Sequence, residues 1–205
     1  GNYLSAIAMF SAVAITCLSL NIDLKIILAG VLLGGLIGSF IALKVKMTAI
    51  PEMVALFNGF GGLATFLIAW SQFNEPNNSS FQHVLIMLTI YIGGITFSGS
   101  LIAYGKLSEK LKLGKGSWIT NIFISFFYLS MPALVYVIAE PSLAQFIPQV
   151  PSYFLIFLGL TLIAGIGFVM PIGGGDMPVV ISLLNSLSGI AAAFAGLLLL
   201  NNVLI

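Results

Sequence analysis

Arginine is missing altogether from this 205-residue chain, and charge of any kind is scarce. Seven lysines and six acidic residues make up 6% of the sequence, against 60% hydrophobic residues. A soluble domain carries about 25% charged residues, so this chain cannot clothe a water-facing surface. Its net charge of +1 and lack of a basic stripe exclude nucleic acid as a partner. A single cysteine, Cys17, lies in an apolar run. It excludes a disulfide or a cysteine metal site within the chain and reads as a small core or lipid-facing residue. One histidine, His83, cannot complete a Ser-His-Asp grouping, and no His/Cys/carboxylate cluster suits a metal or haem. Neither GxGxxG between a strand and a helix nor GxxxxGK followed by Ser or Thr occurs, so no nucleotide-binding loop is expected. A basic n-region is also absent, which argues against a cleaved signal peptide. The chain opens without Met and stops after a hydrophobic run; the expectation is a piece of something larger.

What is present is apolar helix. Mean hydropathy is +1.15, and a bilayer core about 30 Å thick is crossed by roughly 20 apolar residues in a helix. Seven segments meet this: about 3–20, 25–43, 52–70, 82–105, 117–139, 152–170 and 178–200. The breaks between them carry the Gly, Pro, Asn and Ser that end helices. The expected fold class is all-α: a polytopic transmembrane bundle of about seven helices, forming one domain over residues 1–205, with no repeat and no low-complexity tract. Lipid is its first expected partner.

Lysine placement sets orientation. Lys44 and Lys46 share one loop; Lys106, Lys110, Lys112 and Lys115 share another. The loops at 71–81 and 140–151 have only Glu75 and Glu140. These four loops alternate if the lysine loops face the inner side, and Lys25 is the one exception. The turn Gly173-Gly174-Gly175-Asp176-Met177-Pro178 then falls on that same side. Small residues (Gly30, Gly34, Gly35 and Gly38 in the second segment, Gly59, Gly61 and Gly62 in the third, Gly93, Gly94 and Gly99 in the fourth) are expected to let helix backbones approach closely.

Polar groups inside a bilayer cost free energy, so those that persist are candidates for function. Counted from the inner side, Asn58 lies seven residues past Pro51, Ser100 six before Lys106, and Asn185 seven past Pro178. At about 1.5 Å per residue all three sit on the order of 10 Å deep. Thr96, Ser98, Ser182, Ser186 and Ser188 add hydroxyls nearby. Amides and hydroxyls both donate and accept, so with water they can relay protons without storing one. Taken singly, each also serves as helix glue. Glu52 and Asp176 each suit the positive start of a helix, Asp176 as a cap before Pro178. Three glycines before it exceed what a cap requires and suggest a mobile or closely approached backbone. His83, at the outer start of the fourth segment, reads as interfacial.

Three stretches carry a resemblance. They are Met47–Ala55 with Asn58-Gly59; Thr96-Phe97-Ser98-Gly99-Ser100 with Ala103 and Lys106-Leu107; and Gly173–Val180 through Asn185-Ser186 and Gly189. In order and spacing the chain resembles the membrane domain of the beta subunit of proton-translocating NAD(P) transhydrogenases. The resemblance implies a proton-translocating domain coupled to hydride transfer between NADH and NADP⁺. By the same resemblance, Asn58 stands where the family has a proton-path histidine, and Ser100 and Asn185 match its serine and asparagine. Gly173, Gly174, Gly175 and Asp176 match its loop beside the NADP(H)-binding domain. Neither NAD(H) nor NADP(H) is expected on this chain. Both belong to soluble domains of the complete enzyme, the NAD(H)-binding one on an alpha subunit. Further transmembrane helices and a dimer of the complete enzyme are expected too, in a bacterial plasma membrane or a mitochondrial inner membrane. Two other classes compete with this one. A small-solute secondary transporter predicts a midplane site with broken helices and repeats; a passive membrane scaffold makes the polar layer glue alone.

Overall fold

The computed structural model describes residues 1–19, 24–73, 79–111, 122, 125 and 151–199. Among these residues the chain is wholly helical, without a strand. Six α-helices follow in order: α1 (Asn2–Ser19), α2 (Leu24–Lys44), α3 (Ile50–Phe73), α4 (Ser80–Leu107), α5 (Pro151–Val169) and α6 (Met177–Leu198). Short 3₁₀ turns, Met47–Ala49 and Gly174–Asp176, lead into α3 and α6. Four stretches are long and apolar enough to cross a membrane: Lys25–Lys44, Met47–Phe73, Phe81–Leu107 and Gly174–Leu198. The expected count of about seven is therefore not reached among the described residues. The segment at 117–139 lies outside them apart from two residues, and the apolar stretches Asn2–Leu18 and Phe157–Val169 are shorter.

Local chemistry explains the helix ends. α4 begins on a capping box: the Ser79 hydroxyl accepts from the Gln82 amide, and the Gln82 side chain accepts from the Ser79 amide at 2.8 Å. Two otherwise orphaned donors are thus satisfied. His83 sits half-buried in this first turn, its Nδ1 3.1 Å from the Ser79 carbonyl. α3 and α6 share another kind of entrance, a 3₁₀ turn followed by proline (Pro51, Pro178) at the second helical residue, where the missing N–H costs nothing. The likeness continues inward. Asn58 and Asn185 lie seven residues beyond their prolines, and Gly62 and Gly189 eleven.

α4 is the central element, packed on α3, α5 and α6, while α3 also meets α6. Lipid tails offer no hydrophobic gain for one helix meeting another, so close backbone contact has to supply the attraction. At the α3–α4 crossing, a methyl added to Gly62 would lie 2.9 Å from the Gly93 carbonyl oxygen and the Phe97 nitrogen. One added to Gly93 would lie 2.9 Å from the Gly62 oxygen. Gly99 packs in the same way on Val169 of α5 and Leu184 of α6. The glycines of α2 behave differently: Gly30, Gly34, Gly35 and Gly38 have nothing within 4 Å of a methyl position, and neither has Gly61. No residue of the α2 span is buried, so the close packing expected there is not seen among the described residues.

Three apolar clusters fill the bundle. One gathers Ala55, Ala103, Val169, Met177, Val180, Ile181 and Leu184, where α3 and α6 start and α4 and α5 end. The opposite end holds Phe66, Ala69, Leu85, Ile86, Ile90 and Leu198. Tyr91, Ile92, Ile95, Ala164 and Ala191 lie between them.

Candidate functional site

The Asn58 amide forms the centre of a small polar network inside the bundle. Its Nδ2 donates to Ser100 Oγ of α4 at 2.9 Å. Its Oδ1 accepts from Ser188 Oγ of α6 at 3.0 Å. Three helices are thus joined through one side chain. Helix packing delivers these groups: Gly59 lets the Ser100 Cβ approach to 3.2 Å of a methyl position, which brings the hydroxyl within reach of the neighbouring amide. Ser100 is 1% exposed, and such buried contacts between membrane helices are worth about 0.6–2 kcal/mol each. Asparagine and serine remain neutral at physiological pH, so the network passes hydrogen bonds and holds no charge.

Of the three residues expected to share a layer, the structure brings Asn58 and Ser100 together and leaves Asn185 apart. Asn185 is exposed on α6, and the contact with Asn58 is made one turn later by Ser188. Helical periodicity gives the reason. The buried side of α6 runs through Met177, Val180, Ile181, Leu184, Ala191 and Ala195, and Ser188 falls in that series at i+4 from Leu184. Asn185, next to Leu184, is turned about 100° away. Reading this apolar series for its phase could have identified Ser188.

The glycine turn is open. Gly173, Gly174, Gly175 and Asp176 are all exposed, no glycine among the described residues has positive φ, and nothing lies within 4 Å of a methyl position on any of the three. Among the described residues, then, neither conformation nor packing requires glycine here. Asp176 makes no side-chain capping bond, so the capping role is not what its carboxylate does in this structure. Proximity to the α6 N-terminus remains favourable to its charge.

Lys106 is the residue that sequence reasoning undervalued. Its place among Lys110, Lys112 and Lys115 suggests a loop charge that sets orientation. It is instead 9% exposed at the end of α4 and reaches the end of α5. Its ammonium donates to the carbonyl oxygens of Val169 (3.2 Å), Met170 and Ile172 (2.7 Å). The last carbonyls of a helix have no partner inside it, and a cation there also meets the negative end of the dipole. Lys106 thereby fixes the entry to the glycine turn. No group of three or more His, Cys, Asp or Glu suited to a metal occurs among the described residues.

Apolar helices joined by glycine contacts, with an amide and two hydroxyls bonded among them, define a polytopic integral membrane protein with a polar site inside its bundle. The chain belongs to the NAD(P) transhydrogenase beta subunit family, whose profile matches residues 1–205. It is 36% identical over 217 aligned residues to two curated relatives, each an NAD(P) transhydrogenase subunit beta of Rhodospirillum rubrum. The alignments cover 100% of this chain and 45% of each relative, so the chain spans a little under half their length.

Proposed function

We propose that this chain is a proton-translocating membrane portion of an NAD(P) transhydrogenase, coupling proton movement to hydride transfer between NADH and NADP⁺ elsewhere in the enzyme. The observation that carries this reading is the hydrogen-bonded layer of Asn58, Ser100 and Ser188, which falls within the family match. Protons pass along such a layer by exchange with water, each amide or hydroxyl group accepting one hydrogen bond as it donates another. Asn185 contributes from the exposed side of α6, where a further helix of the enzyme completes the path. In this reading Gly173, Gly174, Gly175 and Asp176 form the coupling turn. A turn whose glycines are unexplained by packing among the described residues suits close approach by another surface, here the NADP(H)-binding domain, and Lys106 holds the base of that turn to α4.

The nucleotides, the alpha-subunit NAD(H)-binding domain, the remaining transmembrane helices and the dimer belong to the complete enzyme under this proposal. Its setting is a bacterial plasma membrane or a mitochondrial inner membrane. The test is Asn185→Leu in the complete enzyme in sealed vesicles. Coupled proton translocation should be lost while the protein still inserts; unchanged pumping would sink the proposal.

A further inference from the structure

Six serine and threonine side chains are buried in the described helices: Thr65, Thr89, Thr96, Ser98, Ser100 and Thr161. Four of them return to a carbonyl of their own helix. Thr65 donates to Gly62 at 2.9 Å, Thr89 to Leu85 at 2.7 Å, Ser98 to Gly94 at 3.0 Å and Thr161 to Leu158 at 2.8 Å. That is the usual way for a helix to satisfy Ser and Thr in apolar surroundings. Ser100 accepts from Asn58. Thr96 alone differs: it is 0% exposed, and its Oγ1 has no hydrogen-bond partner among the described residues.

Its position adds to this. Thr96 faces α3, its Cβ 3.0 Å from a methyl position on Gly62, and Ser100 faces Gly59 on the same seam. Residues four apart on one helix face are separated by about 5–6 Å. One water hydrogen bonded to both hydroxyls spans that gap, since each O–H···O contact is about 2.8 Å. Just beyond Thr96 the Gly62 and Gly93 backbones close on each other, and the next hydroxyl on the seam, Thr65, is already bonded to its own helix.

We propose that Thr96 and Ser100 hold a water between them, making Thr96 a relay group of the path entering from the lysine-bearing end. This inference rests on the proton-path reading above and adds a residue to it. In a relay step the Thr96 hydroxyl accepts a proton from the shared water while giving its own to the oxygen of Thr65, whose own proton is bonded to Gly62 and whose lone pairs can accept. The Thr96 hydroxyl is regenerated, and no net charge is left on it.

The experiment uses the complete enzyme in sealed proteoliposomes, measuring protons moved per hydride transferred for Thr96→Val, Thr96→Ala, Thr96→Ser and Ser100→Ala. Val conserves shape, and Ala covers the case where Val fails to fold. Val and Ala should lower the ratio to a small fraction of the wild-type value, and Ser should restore most of it. Equal loss in Thr96→Ser would assign Thr96 a packing role and overturn the proposal. A normal ratio in Thr96→Val and Thr96→Ala with a lost one in Ser100→Ala would overturn it while leaving the path intact. Normal ratios in all of them would overturn both.

Discussion

Replacing Lys106 by methionine keeps the length and apolar stem of the side chain and removes only the ammonium. Three carbonyl oxygens at the α5 terminus then lose the ammonium as a donor. Val169 is fully buried but keeps the Ile172 N–H at 3.2 Å, so it loses one of two donors, about 0.5–1 kcal/mol. Met170 and Ile172 are half-buried; water replaces the lost donor there, so each adds about 0.5–1 kcal/mol. The total is about 1–3 kcal/mol, since the methionine recovers part of the cost of burying a cation. For a chain of this size, 1 kcal/mol moves the thermal midpoint by about 2–4 °C, so the midpoint of purified protein in detergent should fall by roughly 2–12 °C. Lys110→Met is the control. That lysine is exposed, and among the described residues it meets only Tyr104, its ammonium 3.3 Å from the hydroxyl and 5.3 Å from the ring centre; such exposed contacts are worth little, so its loss should leave the midpoint nearly in place. Lys106→Arg should recover part of the stability, because a guanidinium also presents several donors. If Lys106→Met and Lys110→Met melt together at the wild-type midpoint, the three-carbonyl contact does not contribute to stability and the argument fails.

The glycines give two further tests. Gly62→Ala places a methyl against the backbone of α4 and should cost about 1–3 kcal/mol by overpacking, whereas Gly61→Ala, with open space around it, should be neutral or stabilising by up to about 1 kcal/mol through helix propensity; equal thermal midpoints for the two variants would refute the close crossing. Gly174→Ala should leave the midpoint unchanged, because its φ is not positive and no described residue lies within 4 Å of the added methyl. In the complete enzyme it should reduce proton translocation per hydride, and an unchanged ratio would remove the glycine turn from the coupling role.

Much of the helical framework was legible because hydropathy and breakers act locally. The stretches around α2, α3, α4 and α6 follow from apolar run length, and the α3 and α6 entrances from Pro51 and Pro178. Helix faces were harder to read. In a membrane bundle the lipid-facing and core-facing sides are both apolar, so little contrast marks which side of α6 turns inward. That is why Asn185 was grouped with Asn58 by depth while Ser188 makes the contact. Depth along an axis can be counted from a proline, but azimuth needs a phase. Lys106 was missed for a related reason. A lysine near a helix end reads as a charge in water, and its three acceptors lie 63–66 residues further along the chain. The glycines of α2 matched the small-residue pattern of α3 and α4, yet only α3 and α4 use it among the described residues. The pattern permits close approach and does not name a neighbour.

The shared entrance of α3 and α6 supplies an internal control. Both helices leave a 3₁₀ turn through proline and carry asparagine and glycine at matching distances, so their local propensities nearly cancel in comparison. Any difference between the same substitution made at Asn58 and at Asn185 then measures surroundings alone: one amide held between Ser100 and Ser188, the other left open. The pair thus measures what neighbouring helices add to a half-buried amide, with the reference state built into the same chain.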